Sequence, residues 1–374
     1  MRITLFLLLT VETFLWTATV SAQTAPEIKT PPPDLSKTLI DNGSGSLKPI
    51  SGLPGDSLDA MNMSNQLDRR TEAAIKRGLD ALKKMQRPDG HWGLEQDQNR
   101  EAYTAFAMIA FMMNGHFPNK NPPYGETMTK AVNALLRAGK LQFPGYMGNN
   151  MYAHGLCTVA LSEVWGHTEK DDAVRDALKA AVKVILGAQN SGGGWRYQPI
   201  PAGHDVSVTA MQVVALASAR QAGIFVPDDT VTRGVRYLTL AHQSSDGGFA
   251  YMPGPGKSAF PRTAAACTSM MMLGRHEAPE VKAGLEYLRK EVGAALNPQK
   301  GTGGEQTPYG MYYMTIAMNL SGPDDLKWWY PQARDNMLAK QSPDGAFGQR
   351  GEYETATALI VLSMPYGFVP AYQR

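Results

Sequence analysis

Apolar residues recur along most of the chain with the spacing of two kinds of helix. One kind is amphipathic: Ile75, Leu79 and Leu82 follow the i, i+4, i+7 spacing, and lysine and arginine residues occupy the opposite face. The other kind is apolar almost all round, as in residues 102–113 and 209–219. A helix without a polar face has to be surrounded by protein. The pattern therefore predicts half-exposed outer helices that alternate with buried inner helices.

Between these helices, four segments share a glutamine that is followed six residues later by an aromatic residue. The pairs are Gln86 with Trp92, Gln189 with Trp195, Gln243 with Phe249, and Gln341 with Phe347. Successive glutamines are 103, 54 and 98 residues apart, so one weaker copy is expected inside each of the two long intervals. Six repeats of about 50 residues result, each with one outer and one inner helix. They predict an all-α fold, a closed (α/α)6 toroid of six helical hairpins.

We expect the turns that contain these pairs to be structural. The glutamine side chain can bind backbone groups at the end of an outer helix, and the aromatic ring can pack against the next repeat. The first repeat motif consists of Gly78, Leu79, Leu82, Gln86, Asp89, Gly90 and Trp92. It resembles the Gln-Trp repeat of squalene-hopene cyclases and of a superfamily that includes terpene cyclases, protein prenyltransferase β subunits and complement-type thioester domains. The resemblance extends over residues 70 to 366 and implies a single toroid, but the motif is not specific for one activity.

Two catalytic motifs of this superfamily are incomplete in the chain. Residues 205–210 resemble the Asp-x-Asp-Asp-Thr-Ala segment with which squalene-type cyclases protonate an alkene. Ser207 stands at the central acid position, and a serine hydroxyl is far too weak an acid for this step. Ala265, Ala266 and Cys267 stand where prenyltransferases have their zinc-binding Asp-x-Cys. We therefore expect neither squalene cyclisation nor a metal or other cofactor.

In such a toroid, the N-terminal ends of the inner helices converge on one mouth of the central cavity. The candidate ligand-binding residues at this mouth are Tyr103, Tyr152, His154, His204, Asp205, Ser207, Arg262, Tyr309 and Tyr353. The candidate catalytic residues are the carboxylates Asp205, Glu101 and Glu352. Acidic residues at helix N-termini also serve as caps, and tyrosines also pack between helices. From the sequence, both interpretations are open.

The expected function is binding of an apolar, isoprenoid-like ligand or of a protein partner by a squalene-cyclase-like toroid without the complete acid motif. The alternative is an enzyme that uses carboxylates at the rim of the cavity. It would be either a divergent terpene-cyclase-type isomerase or a secreted (α/α)6 enzyme that acts on polysaccharides with paired carboxylates. Six inner helices can also fill the ring with their own side chains, so an open or a filled cavity, and its polar lining, separates these functions.

The ends of the chain differ in composition from the toroid. The first residues contain one arginine and an apolar run that closes with Val20, Ser21 and Ala22, which predicts a signal peptide cleaved between Ala22 and Gln23. The predicted divisions are a signal peptide (1–22), a linker rich in proline, glycine and serine (23–68), the toroid (69–366) and a C-terminal tail (367–374). We expect a secreted or periplasmic protein without a transmembrane span after cleavage, with an uncleaved N-terminal anchor as the alternative.

Composition excludes two further functional classes. The 36 lysine and arginine residues nearly balance the 34 aspartate and glutamate residues, so no nucleic-acid-binding surface is expected. Two cysteines are too few for a disulfide scaffold or a four-cysteine zinc site. Cys157 and Cys267 are predicted on inner helices two repeats apart, and therefore as free thiols.

Overall fold

The computed structural model describes residues 67–118, 122–140, 144–296, 307–349, 351–367 and 369–372. In these ranges, twelve α-helices alternate between an outer and an inner ring. The outer helices are α1 (Arg69–Met85), α3 (Gly125–Ala138), α5 (Asp171–Ala188), α7 (Asp228–Ala241), α9 (Pro279–Leu296) and α11 (Pro323–Leu338). The inner helices are α2 (Arg100–Met112), α4 (Met151–Val164), α6 (Val206–Gln221), α8 (Phe260–Met271), α10 (Thr307–Ser321) and α12 (Glu352–Leu362). Two short 3-10 helices, Met364–Tyr366 and Pro370–Tyr372, follow α12.

The predicted signal peptide and nearly all of the predicted linker lie outside the described residues. So do Gln142, in the weaker repeat expected between Gln86 and Gln189, and Glu305, in the one expected between Gln243 and Gln341. Both of these repeats nevertheless have their outer and inner helices. Within the described ranges, none of the helices is both long and apolar enough to cross a membrane.

The helices close into a ring. Each inner helix packs against the inner helices of the preceding and the following repeat, and α12 packs against both α2 and α1. The last repeat turn also reaches the first helix, because Gln341 Nε2 donates to the Ala74 carbonyl oxygen at 2.8 Å. The all-α toroid of six hairpins predicted from the repeats is therefore confirmed.

The two rings differ in burial as the hydrophobic pattern predicts. In α1, Leu79 and Leu82 are buried while the lysines of the opposite face are exposed. In α4, only Tyr152 and Glu163 are not fully buried. In α6, Ser207 is the partly exposed residue of the first turn. Because the inner helices are enclosed on every side, these few positions mark where their ends meet solvent or other chain segments.

The repeat turns join each hairpin to the next outer helix. Gln189 Nε2 donates to the Gly193 carbonyl oxygen in its own turn and to the Thr230 carbonyl oxygen in α7, both at 2.9 Å. Gly193 has a φ of +90° and lies so close to the backbone of α7 that a side chain there would collide with it. Gln86 and Gln341 make the same two kinds of bond. In these three turns the glutamine is structural as expected, but it binds the next outer helix. In the remaining turn, Gln243 Nε2 donates to the carbonyl oxygen of Ala241, the last residue of its own outer helix, as predicted.

The aromatic residue of each turn fixes the turn to its own hairpin. The Trp195 backbone N–H donates to Thr209 Oγ1 in α6 at 3.0 Å, and its Nε1 donates to the Ile185 carbonyl oxygen in α5 at 2.8 Å. Trp92 makes the same pair of bonds. Phe249 makes only the backbone bond, because its ring carries no N–H.

Aromatic side chains fill the axis of the ring. Tyr312 and Tyr313 of α10 are fully buried there, and Phe106 of α2 packs edge-on against Tyr312 with ring centroids 5.3 Å apart. From the opposite side of the ring, the Tyr152 hydroxyl donates to the Tyr313 hydroxyl at 3.4 Å. Tyr313 in turn donates to Met211 Sδ at 3.3 Å. At this depth, the protein's own side chains occupy the cavity.

Candidate functional site

The six inner helices begin at one end of the ring, which we call the mouth, and the loops before them form its rim. Two of these loops reach the start of a neighbouring inner helix. The Tyr197 carbonyl oxygen accepts from the Met151 N–H at the start of α4 at 2.8 Å, and the Tyr251 carbonyl oxygen accepts from the Val206 N–H at the start of α6 at 2.9 Å. The loops thereby satisfy N–H groups that helix starts leave unpaired, and they carry Tyr197 and Tyr251 to the rim.

Four tyrosines near the starts of α2, α4, α10 and α12 form the tyrosine floor of the mouth. They are Tyr103, Tyr152, Tyr309 and Tyr353, and all four are partly buried. Tyr103 and Tyr353 stack with ring centroids 5.8 Å apart, and those of Tyr152 and Tyr309 are 5.7 Å apart. Burial raises the pKa of Tyr152 and Tyr309, so both remain neutral at physiological pH. The floor offers aromatic faces and neutral hydroxyl groups.

Ser207 lies beside this floor. It is the second residue of α6, it is partly buried, and its hydroxyl is next to that of Tyr309. Two hydroxyl groups can donate and accept hydrogen bonds, but neither can protonate an alkene. The residue that stands at the position of the cyclase acid is thus suited to binding a polar ligand.

A second group, the mouth cluster, consists of Arg196, Tyr197, Asp205, Tyr251 and Arg262. The Arg196 guanidinium carbon lies 4.8 Å from the ring centroid of Tyr197 and 5.6 Å from that of Tyr251. The Arg262 guanidinium carbon also lies 5.6 Å from the Tyr251 centroid. Arg196 Nη1 is 3.3 Å from Asp205 Oδ2. The mouth cluster therefore combines two cations with one carboxylate and two aromatic rings.

Asp205 is the buried N-cap of α6. Its side chain is fully buried, and Oδ1 accepts from the Val208 N–H at 2.9 Å. Burial raises the pKa of Asp205, against the opposing effects of the Val208 N–H and the Arg196 charge. Its neighbours Arg196 and Tyr251 are partly exposed, whereas the Asp205 side chain has no exposed surface. The geometry thus favours the capping interpretation of Asp205 over a direct role in binding or catalysis.

The two candidate histidines do not face the floor. His154 was expected at the mouth, but it is fully buried between α4 and α5, where Nδ1 accepts from the Met147 N–H at 3.2 Å and Nε2 lies 3.1 Å from the Ala181 carbonyl oxygen. The physical reason is that residues two apart on a helix point about 200° apart, so His154 faces away from the axis that Tyr152 faces. Burial lowers the pKa of His154 to about 4, which keeps it neutral. The expectation that His154 binds a ligand is corrected.

His204 is partly exposed beside the mouth cluster and interacts with the outer ring. Its Nδ1 lies 2.8 Å from the hydroxyl of Tyr237, a residue of α7. This contact turns the imidazole toward α7, so His204 supports the rim rather than the floor.

The other two candidate carboxylates lie on inner helices different from that of Asp205. Glu101 is in the first turn of α2; its Oε2 is buried and has no hydrogen-bond partner among the described residues. Burial lowers the pKa of His91 and raises that of Tyr146, and the charge of Glu101 also acts on both groups, which places Glu101 near the seam between the first two repeats. Glu352 is partly buried in the first turn of α12. The expected positions at helix starts are observed, but the three carboxylates stand on α2, α6 and α12.

Arg196, Tyr197 and Tyr251 were missed from the sequence because they lie in loops rather than at helix starts. The repeat register contained a usable signal. Tyr197 and Tyr251 each stand two residues after the aromatic residue of a repeat turn, which is Trp195 in one case and Phe249 in the other. Equivalent positions of the repeats therefore deliver aromatic side chains to the rim.

The thiols and acids of the described residues do not form a metal site. No group of three or more His, Cys, Asp or Glu side chains in these ranges is arranged to hold a metal ion. Cys157 and Cys267 are buried free thiols, and burial raises the pKa of Cys267 to about 12. Both cysteines are therefore unreactive core residues at neutral pH.

No protein-family model and no curated protein matches the sequence. Solved structures do match. An inactive variant of the GH76A α-1,6-mannanase of Salegentibacter sp. HEL1_6 in complex with α-1,6-mannotriose has a TM-score of 0.59 and 9% identity over 80% of this chain and 99% of that chain. A type II terpene cyclase variant from Scytonema in complex with geranylgeranyl dihydroxybenzoate has a TM-score of 0.53 and 12% identity over 83% of this chain and 100% of that chain.

A protein from Actinoplanes matches with a TM-score of 0.54 and 16% identity, over 79% of this chain and 99% of that chain. All three matches span nearly the whole of the matched chain, but their identities are low. They establish the fold, which is an α/α toroid shared by enzymes as different as a mannanase and a terpene cyclase.

Proposed function

We propose that the mouth of the toroid binds an oligosaccharide. The observation that carries the proposal is a filled axis beneath a polar, tyrosine-lined mouth. An apolar chain binds best in an enclosed apolar cavity. The contact between the Tyr152 and Tyr313 hydroxyl groups occupies the place where such a cavity would begin. A sugar chain needs only a shallow site with aromatic faces and hydrogen-bonding groups.

The floor and the mouth cluster offer both kinds of contact. The C–H face of a sugar ring packs against the negatively polarised face of an aromatic ring, and the stacked Tyr103 and Tyr353 provide such a platform. Sugar hydroxyls exchange hydrogen bonds with serine, tyrosine and arginine side chains. Ser207 and Arg262 are partly exposed at the mouth and supply an acceptor and several donors.

The mannanase neighbour supports a saccharide ligand more than it supports hydrolysis. Its inactive form has two adjacent aspartates replaced by asparagines. In the described part of this chain, the adjacent aspartates are Asp171 and Asp172, Asp228 and Asp229, and Asp324 and Asp325. Each pair lies in the first turn of an outer helix, which begins at the end of the ring opposite the mouth. Binding is therefore the first function proposed here.

Hydrolysis is a second candidate, favoured by the carboxylates Glu101, Asp205 and Glu352 at the starts of inner helices. It predicts release of reducing sugar from a bound polysaccharide and loss of that release in Glu352→Gln or Asp205→Asn. Asparagine keeps the helix cap, so the second variant separates catalysis from folding.

An apolar ligand is a third candidate. The rim loops expose Ile200, with 36% of its surface accessible, and Met252, with 47%. The terpene cyclase neighbour binds a geranylgeranyl compound. Such a ligand, or an apolar protein partner, would have to lie across the rim of this chain rather than inside the ring.

Export is part of the proposal, because it brings the mouth to extracellular saccharides. The predicted cleavage after Ala22 is tested by N-terminal sequencing of the protein recovered from the periplasm or medium, which should begin at Gln23. A protein that retains Met1 and sediments with membranes would contradict cleavage.

Calorimetric titration of the mature chain tests the ligand class. The probes are α-1,6-mannotetraose, cellohexaose, hexagalacturonate and, for the apolar alternative, farnesol. At least one saccharide should bind, and Tyr353→Ala should weaken it about tenfold through loss of the stacking platform, whereas Tyr353→Phe keeps the ring. The matched control is Tyr366→Ala, since Tyr366 is also partly buried but follows α12 at the opposite end of the ring.

Failure of all three saccharides to bind would overturn the proposal. So would saccharide binding that Tyr353→Ala leaves unchanged. Binding of farnesol that is lost in Tyr353→Ala, without saccharide binding, would replace it with the apolar alternative.

A further inference from the structure

Arg262 is a cation in an aromatic environment at the mouth. It belongs to the first turn of α8, and its guanidinium lies over the Tyr251 ring. Tyr287 and Tyr309 are close enough to influence its pKa. Nη2 donates to the Lys257 carbonyl oxygen at 3.0 Å. Nε is buried and has no hydrogen-bond partner among the described residues. One of the five N–H donors of this guanidinium is therefore used, and at least one buried donor remains.

The charge of Arg262 is not balanced within the mouth cluster. The one carboxylate of the cluster, Asp205, is 3.3 Å from Arg196 and caps α6. Elsewhere in the described ranges, no carboxylate lies within ion-pair distance of Arg262. Two guanidinium groups and one carboxylate give the mouth cluster itself a net positive charge.

A buried N–H without a partner and a cation without a counter-ion both lose hydration without full compensation. Burial lowers the pKa of Arg262, which reflects this loss. The face of Tyr251 compensates part of it. An anion would compensate the rest, because charge-assisted hydrogen bonds to a guanidinium are strong and the planar fork matches the oxygens of a carboxylate or sulfate.

We infer that the saccharide bound at the mouth carries an acidic group, a carboxylate or a sulfate, and that Arg262 binds this group. The inference rests on the proposed function and adds the class of sugar to it. The tyrosine floor holds sugar rings of any charge, while Arg262 selects those that bring a negative charge to the rim. Arg196 contributes less to this selection, because Asp205 already neutralises it.

Matched pairs of ligands test the inference by calorimetric titration at about 50 mM salt, where charges are screened less than at physiological salt. Hexagalacturonate is compared with its methyl ester, which has the same rings without the charge, and isomaltohexaose with its sulfated form. The wild-type chain should prefer one or both acidic forms by about tenfold or more. Arg262→Gln should reduce this preference to about threefold or less, because it weakens the acidic forms more than the neutral ones. Arg262→Lys should retain part of it, because the charge remains and the fork is lost.

Arg275→Gln is the control, because this substitution removes the same charge at an exposed residue that follows the other end of α8. A preference that survives in Arg262→Gln, or that falls equally in Arg275→Gln, would overturn the assignment to Arg262. Equal wild-type affinity for acidic and neutral forms would overturn the acidic class while leaving saccharide binding intact. Absence of binding by every saccharide would instead refute the proposed function. The comparison of ester with acid needs no variant, so it decides the class of sugar even if Arg262→Gln fails to fold.

Discussion

The hydroxyl oxygens of Tyr312 and Tyr372 lie 2.5 Å apart at the end of the ring opposite the mouth. Both side chains are fully buried, and their ring planes are inclined by 80°. The Tyr372 carbonyl oxygen also accepts from Asn319 Nδ2 at 2.5 Å. Val369 and Ala371 are buried beside this pair. Residues 369–372 thus pack into the ring, although they fall within the predicted C-terminal tail.

Replacement of Tyr372 tests whether this segment contributes to stability. Tyr372→Ala should lower the free energy of unfolding by about 3–5 kcal/mol, because a fully buried aromatic ring is removed. Tyr372→Phe should cost about 1–3 kcal/mol, because it leaves the buried hydroxyl of Tyr312 without this partner. Urea denaturation followed by circular dichroism measures both. A loss below 1 kcal/mol in Tyr372→Ala would mean that the segment does not pack into the ring in solution.

Glu163, at the same end of the ring, makes the free energy of unfolding depend on pH. Its Oε1 accepts from the Ser218 hydroxyl at 2.8 Å, and its Oε2 accepts from the Ala371 N–H at 3.4 Å. Burial raises the pKa of Glu163 from 4.5 to about 7. Its titratable neighbours, Tyr312 and Tyr372, have pKa values raised by burial and stay protonated throughout this range. Glu163 is therefore the group at this site that titrates between pH 4.5 and 7.

The sign follows from the direction of the shift. Below pH 4.5, Glu163 is protonated in both the folded and the unfolded chain, and its contribution to stability is fully present. Between pH 4.5 and 7 the unfolded chain ionises first, so stability falls by about 2–3 kcal/mol and then levels off. Glu163→Gln should remove this part of the fall, measured as the difference between the two pH profiles of unfolding free energy. Parallel profiles from pH 4 to 8 would contradict a raised pKa of Glu163.

The helices and the closed ring were predictable from the sequence because both depend on local and periodic information. Burial of Leu79 and Leu82 follows from a 3.6-residue period, and closure follows from the recurrence of turns such as Gln189 to Trp195. Gln341 repeats that turn at the end of the chain, and its bond to α1 is the step that closes the ring.

The filling of the axis and the direction of individual side chains were not predictable in the same way. Whether Tyr152 reaches Tyr313 depends on the diameter of the ring, which no segment of the sequence specifies. His154 stands only two residues from Tyr152. An offset of two positions on a helix reverses the direction of the side chain, so a residue predicted to bind a ligand is found in the core. Arg196 was missed because its partner Asp205 is brought to it by a loop, whose path depends on tertiary contacts.

Trp195 tests the role of the aromatic residue in the repeat turns. Its side chain is fully buried and its Nε1 holds the Ile185 carbonyl oxygen. Trp195→Ala should therefore cost about 3–5 kcal/mol of unfolding free energy. Trp195→Phe, which imitates the residue found at Phe249, should cost less because most of the buried ring remains. A cost below 1 kcal/mol for Trp195→Ala would show that the turn is not part of the packed core.

Gln189 and Gln243 form a matched pair that tests how one repeat is joined to the next. Gln189 is buried and binds α7 of the following repeat, whereas the Nε2 of Gln243 donates to Ala241 and Gly254 carbonyl oxygens within its own hairpin and loop. Gln189→Ala should cost about 1–3 kcal/mol, because two backbone carbonyls lose a buried donor. Gln243→Ala should cost less than about 1 kcal/mol, because its bonds are partly exposed and do not cross between repeats. Urea denaturation of both variants at one pH provides the measurement. If the two losses are equal, the glutamine stabilises only its own turn, and the connection between repeats has to come from the helix contacts.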